Sequence, residues 1–195
     1  KKSQDYHSEK IIDAIPDGVR TILDVGSGSG GLAEKLIKNN YKVECVSPSH
    51  YLSDAIADKL KNNVKIYRTT FEKLKIEKSF DLVLFSESFQ YVNIKKSLDK
   101  LPPLLNKNGR LLICDFFRQP GTGTKPLGGG HDWNVFQDNL KNYSFTNLID
   151  IDITKETART YDLIDKLIKD VAVPVRELSS NYLSSQYPRG MKFLK

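Results

Sequence analysis

Hydrophobic and polar positions follow two periods between residues 6 and 118, and together they predict strands that alternate with helices. Short continuous apolar runs, bounded by glycine, proline or charged residues, are typical of strands buried on both faces of a sheet. Apolar positions three and four residues apart are typical of amphipathic helices. The predicted strands are 21–26, 42–48, 64–70, 80–86 and 110–117, and the predicted helices are 6–15, 31–40, 50–62 and 95–105.

This order of elements predicts an α/β fold, a three-layer sandwich in which helices cover both faces of a mostly parallel, doubly wound sheet. One domain over residues 1–195 is expected, because the length suits a single complete hydrophobic core. NKNGR at 106–110 predicts a turn before the fifth strand, and the helix before it is expected to end around Pro102 and Pro103.

The pattern changes after residue 118. Residues 119–130 are rich in Gly, Pro and Thr, which predicts a long loop of the kind that often covers a binding site. A helix is predicted over 131–142 and a sixth strand over 147–154. We predict a helical insertion or cap over 156–189, and a C-terminus that is cut short where a seventh strand would begin.

The composition is that of a soluble globular protein, with 39% hydrophobic and 28% charged residues, which argues against a disordered or fibrous chain. No apolar run is long enough to span a bilayer, and the basic N-terminus is not followed by the apolar stretch of a signal peptide. Cys45 and Cys114 each lie within a short apolar run. Their position indicates buried, reduced thiols, and a cytoplasmic location is therefore expected.

The formal net charge of +6 favours a lysine-rich solvated surface, with attraction to an anionic partner as the alternative. Such a partner would be a nucleic acid, a phosphorylated metabolite or a membrane surface. Because the lysines are scattered rather than clustered with aromatic residues, a nucleic-acid partner is not expected.

A glycine-rich loop between the first strand and the next helix is the most informative segment. Asp24 precedes Gly26, Ser27, Gly28 and Gly30. Glycines let the backbone turn tightly and approach a ligand closely, and the N–H groups that open a helix attract anionic groups. Ligands of open α/β sheets bind at the carboxyl ends of the strands, where this loop is predicted to lie.

Two other interpretations of the loop are open. Gly26, Gly28 and Gly31 also fit the G-x-G-x-x-G pattern of dinucleotide-binding proteins. However, Asp24 would repel a pyrophosphate and attract an ammonium group, and the second strand ends at Ser47 without the acid that would bind a ribose. The other alternative is a glycine turn that only connects strand and helix.

Residues 22–36, 80–92 and 101–117 resemble, in order and spacing, the motifs of the class I S-adenosylmethionine-dependent methyltransferases. The resemblance extends over about residues 6–118 and is closest to the small-molecule branch of that family. It implies S-adenosylmethionine as cofactor, S-adenosylhomocysteine as product, and methyl transfer to an O, N or C atom of a small organic acceptor.

The resemblance also implies roles for individual residues. It assigns Asp24 to the amino group of the cofactor, and Ser86 and Glu87 to the methionine moiety and the acceptor. The remaining expected cofactor contacts are Gly26, Ser27, Gly28 and Gly30 beneath the methionine moiety, Ser47 and Pro48 at the ribose, and Thr70 and Phe71 at the adenine. At the ribose and adenine positions the family usually has acids, and a hydroxyl forms weaker hydrogen bonds than a carboxylate.

A sulfonium-bound methyl group is already activated, so the protein has to exclude water, align the acceptor and sometimes remove a proton. The predicted catalytic residues are Glu87, with a cap on the following turn as its alternative role, and His131. The alternative around His131 is that Asp132 caps the helix while Trp133 packs in the core. No metal site is expected.

Weaker candidates lie on two predicted helices. Tyr6 and His7 are expected to cover the site, and His50 to lie near the adenosine, the alternative for each being an ordinary exposed residue. Phe89, Gln90 and Tyr91 are expected to shape the acceptor pocket or to pack in the core.

Three other functions are open at the level of the sequence. They are methylation of an anionic lipid or nucleic acid, a non-catalytic module that binds S-adenosylmethionine or a partner, and an NAD-type oxidoreductase, which Asp24 and Ser47 disfavour. A monomer or a homodimer is expected.

Overall fold

Five parallel strands form the central sheet of the computed structural model, which describes residues 2–61, 63–119 and 130–155 and positions 170 and 174. The strands are β1 Thr21–Val25, β2 Lys42–Val46, β3 Lys65–Tyr67, β4 Phe80–Ser86 and β5 Leu105–Cys114. They run in the order β3-β2-β1-β4-β5, and neighbouring strands pair in parallel. Chain order reverses between β1 and β4, the topological switch point at which such sheets bind ligands.

Helices cover both faces of the sheet, which confirms the predicted three-layer α/β fold. The helices are α1 Lys2–Asp13, α2 Gly31–Lys38, α3 His50–Lys59, α4 Ile94–Leu104 and α5 Trp133–Leu140. On one face α1, α2 and α3 pack over Ile22, Cys45 and Leu82, and on the other α4 and α5 pack over Phe85 and its neighbours. Both sets of side chains are buried, as the continuous apolar runs predict.

Side-chain caps fix the starts of three helices. Ser49 Oγ accepts a hydrogen bond from Leu52 N at 3.3 Å before α3, and Asn93 Oδ1 accepts from Lys96 N at 3.0 Å before α4. Asp132 caps α5. Each cap satisfies a backbone N–H that has no partner within its helix.

The structure corrects the prediction around residues 105–110. These residues belong to β5, and the pairing register with β4 shifts between Phe80 and Leu82. Asn108 has a φ of 66°, so the predicted turn is a bulge inside the strand. A second, two-stranded parallel sheet joins β6 Phe117–Arg118 to β7 His131–Asp132 and was not predicted.

The predicted sixth strand over 147–154 is wrong. Residues 147–153 are irregular, although their apolar and acidic residues alternate as in a half-buried strand. A strand must pair its backbone groups with a neighbour, and no strand within the described ranges pairs with this segment. The chain divides into two compact units, 1–146 and 147–195, and the sheet lies wholly in the first.

Several predictions fall on residues 120–129 and on most of 156–195, outside the described residues. They are the central part of the loop predicted over 119–130, the helical insertion and the seventh strand, and the single-domain organisation stays a prediction as well. Among the described residues, no helix has the length and apolar character needed to cross a membrane.

Candidate functional site

The glycine loop leaves β1 at the carboxyl edge of the sheet with three residues in the left-handed region. Gly26, Gly28 and Gly30 have φ values of 77°, 53° and 78°. A Cβ at Gly26 would collide with the side chain of Ser88, whereas a Cβ at Gly28 would meet nothing within 4 Å. Gly26 is thus required for packing inside the protein, and Gly28 borders open space in which a ligand could lie against the backbone.

Asp24 is a buried carboxylate with an unsatisfied oxygen. Only 1% of the residue is exposed, and Oδ2 has no hydrogen-bond partner among the described residues. Burial raises the pKa of the Asp24 carboxyl to about 6. A desolvated carboxylate is costly unless a cation or a donor reaches it. The residue and the open loop that follows it therefore fit a ligand that carries an ammonium group.

The turn after β4 packs against the glycine loop. Ser88 Oγ donates a hydrogen bond to the carbonyl oxygen of Val25, so the two segments are tied together. Glu87 has a φ of 54°, and its N–H donates to Cys114 O at 2.8 Å. A non-glycine residue in this region stores backbone strain, and such strain is concentrated at functional sites. The Glu87 side chain is 57% exposed at this edge.

Helix α1 brings His7 to the same edge, as the sequence predicts. His7 Nε2 lies 3.4 Å from Ser86 Oγ, 3.8 Å from Glu87 Oε1 and 4.0 Å from Cys114 Sγ. Tyr6 does not share this position, because its ring is about half exposed and lies beneath Lys10 Nζ at 5.4 Å.

Ser47 and Pro48, expected at the ribose, follow β2 at the carboxyl edge. Ser47 is buried, its N–H donates to Tyr67 O at 3.0 Å, and its Oγ lies 3.5 Å from Ser49 O. Pro48 is exposed. The Ser47 hydroxyl is therefore weakly held, and a ligand could compete for it.

Thr70 and Phe71, expected at the adenine, follow β3 at the same edge. Thr70 is half-buried, and its carbonyl oxygen accepts from Lys73 N at 3.1 Å. The ring of Phe71 is buried and packs edge-to-face on Phe85, with 5.1 Å between centroids. The ring therefore shapes the core beneath the edge. His50, also proposed near the adenosine, is exposed at the start of α3.

His131 lies in β7 and contacts Phe89. Its Nε2 is 2.9 Å from Phe89 O, and the two rings pack edge-to-face at 5.4 Å. The described contacts do not join it to Glu87. Asp132 Oδ1 accepts from Asn134 N at 2.9 Å and from Val135 N at 3.2 Å, so the alternative role of Asp132 as a helix cap is confirmed.

Trp133 packs on Phe117 with 5.1 Å between ring centroids, which confirms its alternative role in the core. Beside it, a shallow groove of about 450 Å³ runs between the turn after β4, the start of α4 and α5. Its lining includes Gln90, Tyr91, Lys95 and His131. Phe89 is buried and Tyr91 is 81% exposed, so Phe89 belongs to the core and Tyr91 to the groove.

The sequence analysis missed Asp115 and Ser88. Asp115 follows β5, and its Oδ2 accepts a hydrogen bond from Gln90 N at 3.0 Å, which holds the turn after β4. Burial raises the pKa of the Asp115 carboxyl. The sequence could have indicated Asp115, because it is an acid directly after the fifth strand, as Glu87 is directly after the fourth. The carboxyl ends of neighbouring parallel strands lie at one edge of the sheet. The contact of Ser88 with Gly26 had no sequence signal.

One protein family and two relatives that match part of this chain are methyltransferases by name. Residues 23–113 match the family described as methyltransferase domain. An uncharacterized methyltransferase of Alkaliphilus oremlandii is 29% identical over 55% of this chain and 51% of its own length. Malonyl-[acyl-carrier protein] O-methyltransferase 2 of Ilyobacter polytropus is 30% identical over 58% of this chain and 46% of its own. The chain thus spans about half the length of these relatives.

Solved structures share the fold at low sequence identity. The geranyl diphosphate C-methyltransferase of Streptomyces coelicolor A3(2) is 16% identical, covers 77% of this chain and 61% of its own, and superposes with a TM-score of 0.68. The [4+2]-cyclase SpnF is 18% identical, covers 71% of this chain and 56% of its own, and gives a TM-score of 0.61. In its fold, in the glycine loop after β1 and in the match over residues 23–113, this chain is therefore similar to the class I S-adenosylmethionine-dependent methyltransferases.

Proposed function

We propose that this protein binds S-adenosylmethionine and transfers its methyl group to a small organic acceptor. One observation carries the proposal: a buried carboxylate, Asp24, has an oxygen without a partner among the described residues, and it precedes a loop of left-handed glycines in which Gly28 borders open space. An amino acid moiety would satisfy both features, because its ammonium group is attracted by Asp24 and its backbone-like atoms fit against Gly28.

The residues at the carboxyl edge have complementary roles in this proposal. Asp24 binds the ammonium group, and the loop residues support the methionine moiety. Ser47 and Thr70 offer hydroxyls to the ribose and the adenine, and Ser86 adjoins the sulfur. When bound, S-adenosylmethionine supplies an activated methyl group. The other expected contacts are Gly26, Ser27, Gly28, Gly30, Pro48 and Phe71.

The acceptor is proposed to lie beside Glu87, in the direction of the groove that His131 lines. Glu87 is more than half exposed and held in a strained backbone, as expected of a side chain that contacts a substrate. His131 Nε2 already contacts the carbonyl of Phe89, so the role proposed for this ring is to orient the acceptor through Nδ1. A small organic acceptor suits a site that is open on one side.

Which atom is methylated is outside this proposal. The names of the relatives include an O-methyltransferase and a C-methyltransferase, and the fold also occurs in a [4+2]-cyclase. Fold alone therefore does not fix the chemistry. A cytoplasmic location and a monomeric or homodimeric state stay predictions.

Calorimetric titration with S-adenosylhomocysteine tests the proposal, with NADH as the control ligand. We expect micromolar binding of S-adenosylhomocysteine, no heat with NADH, and at least 30-fold weaker binding by Asp24→Asn, since an amide does not replace a buried charge partner. Glu34→Gln, which alters an exposed carboxylate paired with Lys38 on α2, should bind as the parent does. A folded parent that binds NADH, or neither compound, would contradict the proposal.

A further inference from the structure

The environment of His7 is unusual for a residue on the first helix of the chain. Its ring nitrogen lies between a hydroxyl, a carboxylate and a thiol that all come from the last residues of β4 and β5 or the residue that follows: Ser86, Glu87 and Cys114. The His7 side chain is 24% exposed, so it is neither buried in the core nor free in solvent. It can therefore meet a ligand while protein groups fix its position.

Glu87 is the carboxylate paired with His7, with Oε1 at 3.8 Å from Nε2. A carboxylate at this distance attracts an imidazolium when one forms. Burial raises the pKa of the Cys114 thiol to about 11, so the thiol is neutral near pH 7, and the half-buried Asp115 comes directly after it, where β5 ends. Two described lysines of α1 and α2 have other partners: Lys35 Nζ is 2.7 Å from Asp5 Oδ1, and Lys10 Nζ lies over the ring of Tyr6.

Resting on the proposed function, we infer that His7 accepts a proton from the acceptor and that Glu87 stabilises the imidazolium that results. In this step the acceptor atom, which bears hydrogen, forms a bond to the methyl carbon. The carbon–sulfur bond breaks at the same time, and its electron pair stays on sulfur. The hydrogen leaves as a proton and is taken up by His7 Nε2.

This assignment selects a class of acceptor. A proton acceptor is useful only when the methylated atom still carries a proton that must leave near neutral pH, as in phenols and primary amines, and not in carboxylates or tertiary amines. Ser86 Oγ, 3.4 Å from the same nitrogen, can orient the ring. Glu87 acts in two ways in this account: it faces the acceptor, and it balances the charge on His7.

The pairing of His7 with Glu87 can be tested without cofactor or acceptor. Diethyl pyrocarbonate acylates the neutral form of imidazole, and peptide mass spectrometry separates His7 from His50. At pH 6 we expect Glu87→Gln to raise the rate at His7, relative to the exposed His50, at least twofold, because the substitution removes the carboxylate that lies 3.8 Å from His7 Nε2 and pairs with an imidazolium. Glu34→Gln should leave this ratio unchanged. An unchanged ratio in Glu87→Gln would show that Glu87 does not pair with His7 and would overturn the inference.

The proton transfer is tested with labelled S-adenosylmethionine and a panel of phenols, primary amines, carboxylates and tertiary amines. We expect products only from acceptors whose methylated atom bears hydrogen, and a kcat about 100-fold lower in His7→Asn, with S-adenosylhomocysteine affinity kept within about threefold of the parent. Full turnover in His7→Asn, methylation of carboxylates or tertiary amines alone, or no product from a protein that binds S-adenosylhomocysteine would overturn the inference. Loss of that binding in the parent would instead refute the proposed function.

Discussion

Two aspartates at opposite ends of the sheet have opposite environments. Asp81, near the amino end of β4, accepts hydrogen bonds from Arg20 N at 3.0 Å, Thr21 N at 2.9 Å, Thr21 Oγ1 at 2.8 Å and Asn106 Nδ2 at 2.7 Å. Asp24, near the carboxyl end of β1, leaves Oδ2 without a partner among the described residues. The bond from Asn106 and those from Arg20 and Thr21 lower the pKa of Asp81 to about 2, whereas burial raises that of Asp24 to about 6.

This contrast separates a group that stabilises the fold from one that the proposed function assigns to a ligand. Above about pH 4, Asp81 is ionised in both the folded and the unfolded chain, and its hydrogen bonds stabilise the folded chain at those pH values. Ionised Asp24 is less favourable in the folded than in the unfolded chain, so it lowers stability at neutral pH. We interpret that loss as the consequence of holding a carboxylate ready for a cation. The variants below test the contrast, beginning with the largest expected effect.

Gly26→Ala should destabilise the protein by about 3–4 kcal/mol, because it combines a left-handed backbone with a collision against Ser88. Gly28→Ala, where a Cβ meets no neighbour, should lose only about 1 kcal/mol but should weaken S-adenosylhomocysteine binding at least tenfold. Urea denaturation and calorimetry measure both quantities. Equal destabilisation by the two substitutions would show that Gly28 is also structural.

Asp81→Ala should lower the free energy of unfolding by about 3 kcal/mol, because it removes the acceptor of four hydrogen bonds between β1, β4 and β5. Affinity for S-adenosylhomocysteine should stay within twofold of the parent, since Asp81 lies at the amino end of the sheet. Urea denaturation and calorimetry on one preparation test both statements. A large loss of affinity in a folded variant would contradict the division between the two ends.

Asp24→Asn should stabilise the free protein at pH 7 by about 2–3 kcal/mol, because it removes a buried charge whose pKa is raised from 3.8 to about 6. The sign follows from proton binding: between pH 4 and 6 the folded state binds more protons than the unfolded state, so parent stability falls as pH rises. The gain should therefore fade by pH 4. Denaturation at both pH values measures it, and a gain independent of pH would rule out the charge as its cause.

Thr21→Val should produce the smallest effect, a loss of about 1 kcal/mol. The substitution removes the hydroxyl that donates to Asp81 Oδ2 at 2.8 Å and accepts from Asp81 N at 3.0 Å, while the backbone bond from Thr21 N to the carboxylate remains. Thermal denaturation should detect it as a modest decrease in Tm. A loss as large as that of Asp81→Ala would mean that the hydroxyl, rather than the carboxylate, organises this end.

The sequence was sufficient to predict the sheet, because its central strands β1 and β4 are largely buried and nearly continuous apolar runs. The glycine loop and the carboxyl edge were predictable for the same reason, since strand direction places Asp24, Ser47 and Glu87 at one edge. The position of His7 was only a weak prediction, because a single polar residue on a helix carries no periodic signal. Contacts such as Ser88 with Gly26 depend on tertiary packing and could not be predicted.

The misplaced strand shows the limit of periodicity. Residues 147–154 alternate as a half-buried strand does, but pairing depends on a neighbour that local sequence does not specify. The bulge at Asn108 has a similar cause. Its residues are typical of a turn, and the register of β4 against β5 incorporates them into the strand.

We propose that the buried carboxylate of Asp24 binds the ammonium group of the cofactor. The affinity of the parent and Asp24→Asn for S-adenosylhomocysteine, measured by calorimetry between pH 8 and pH 5, tests it most directly. Since the pKa of Asp24 is about 6, parent affinity should fall about tenfold between pH 7 and pH 5, while the variant binds weakly at every pH. Parent affinity that does not change with pH, or a variant that binds as tightly as the parent, would contradict the claim.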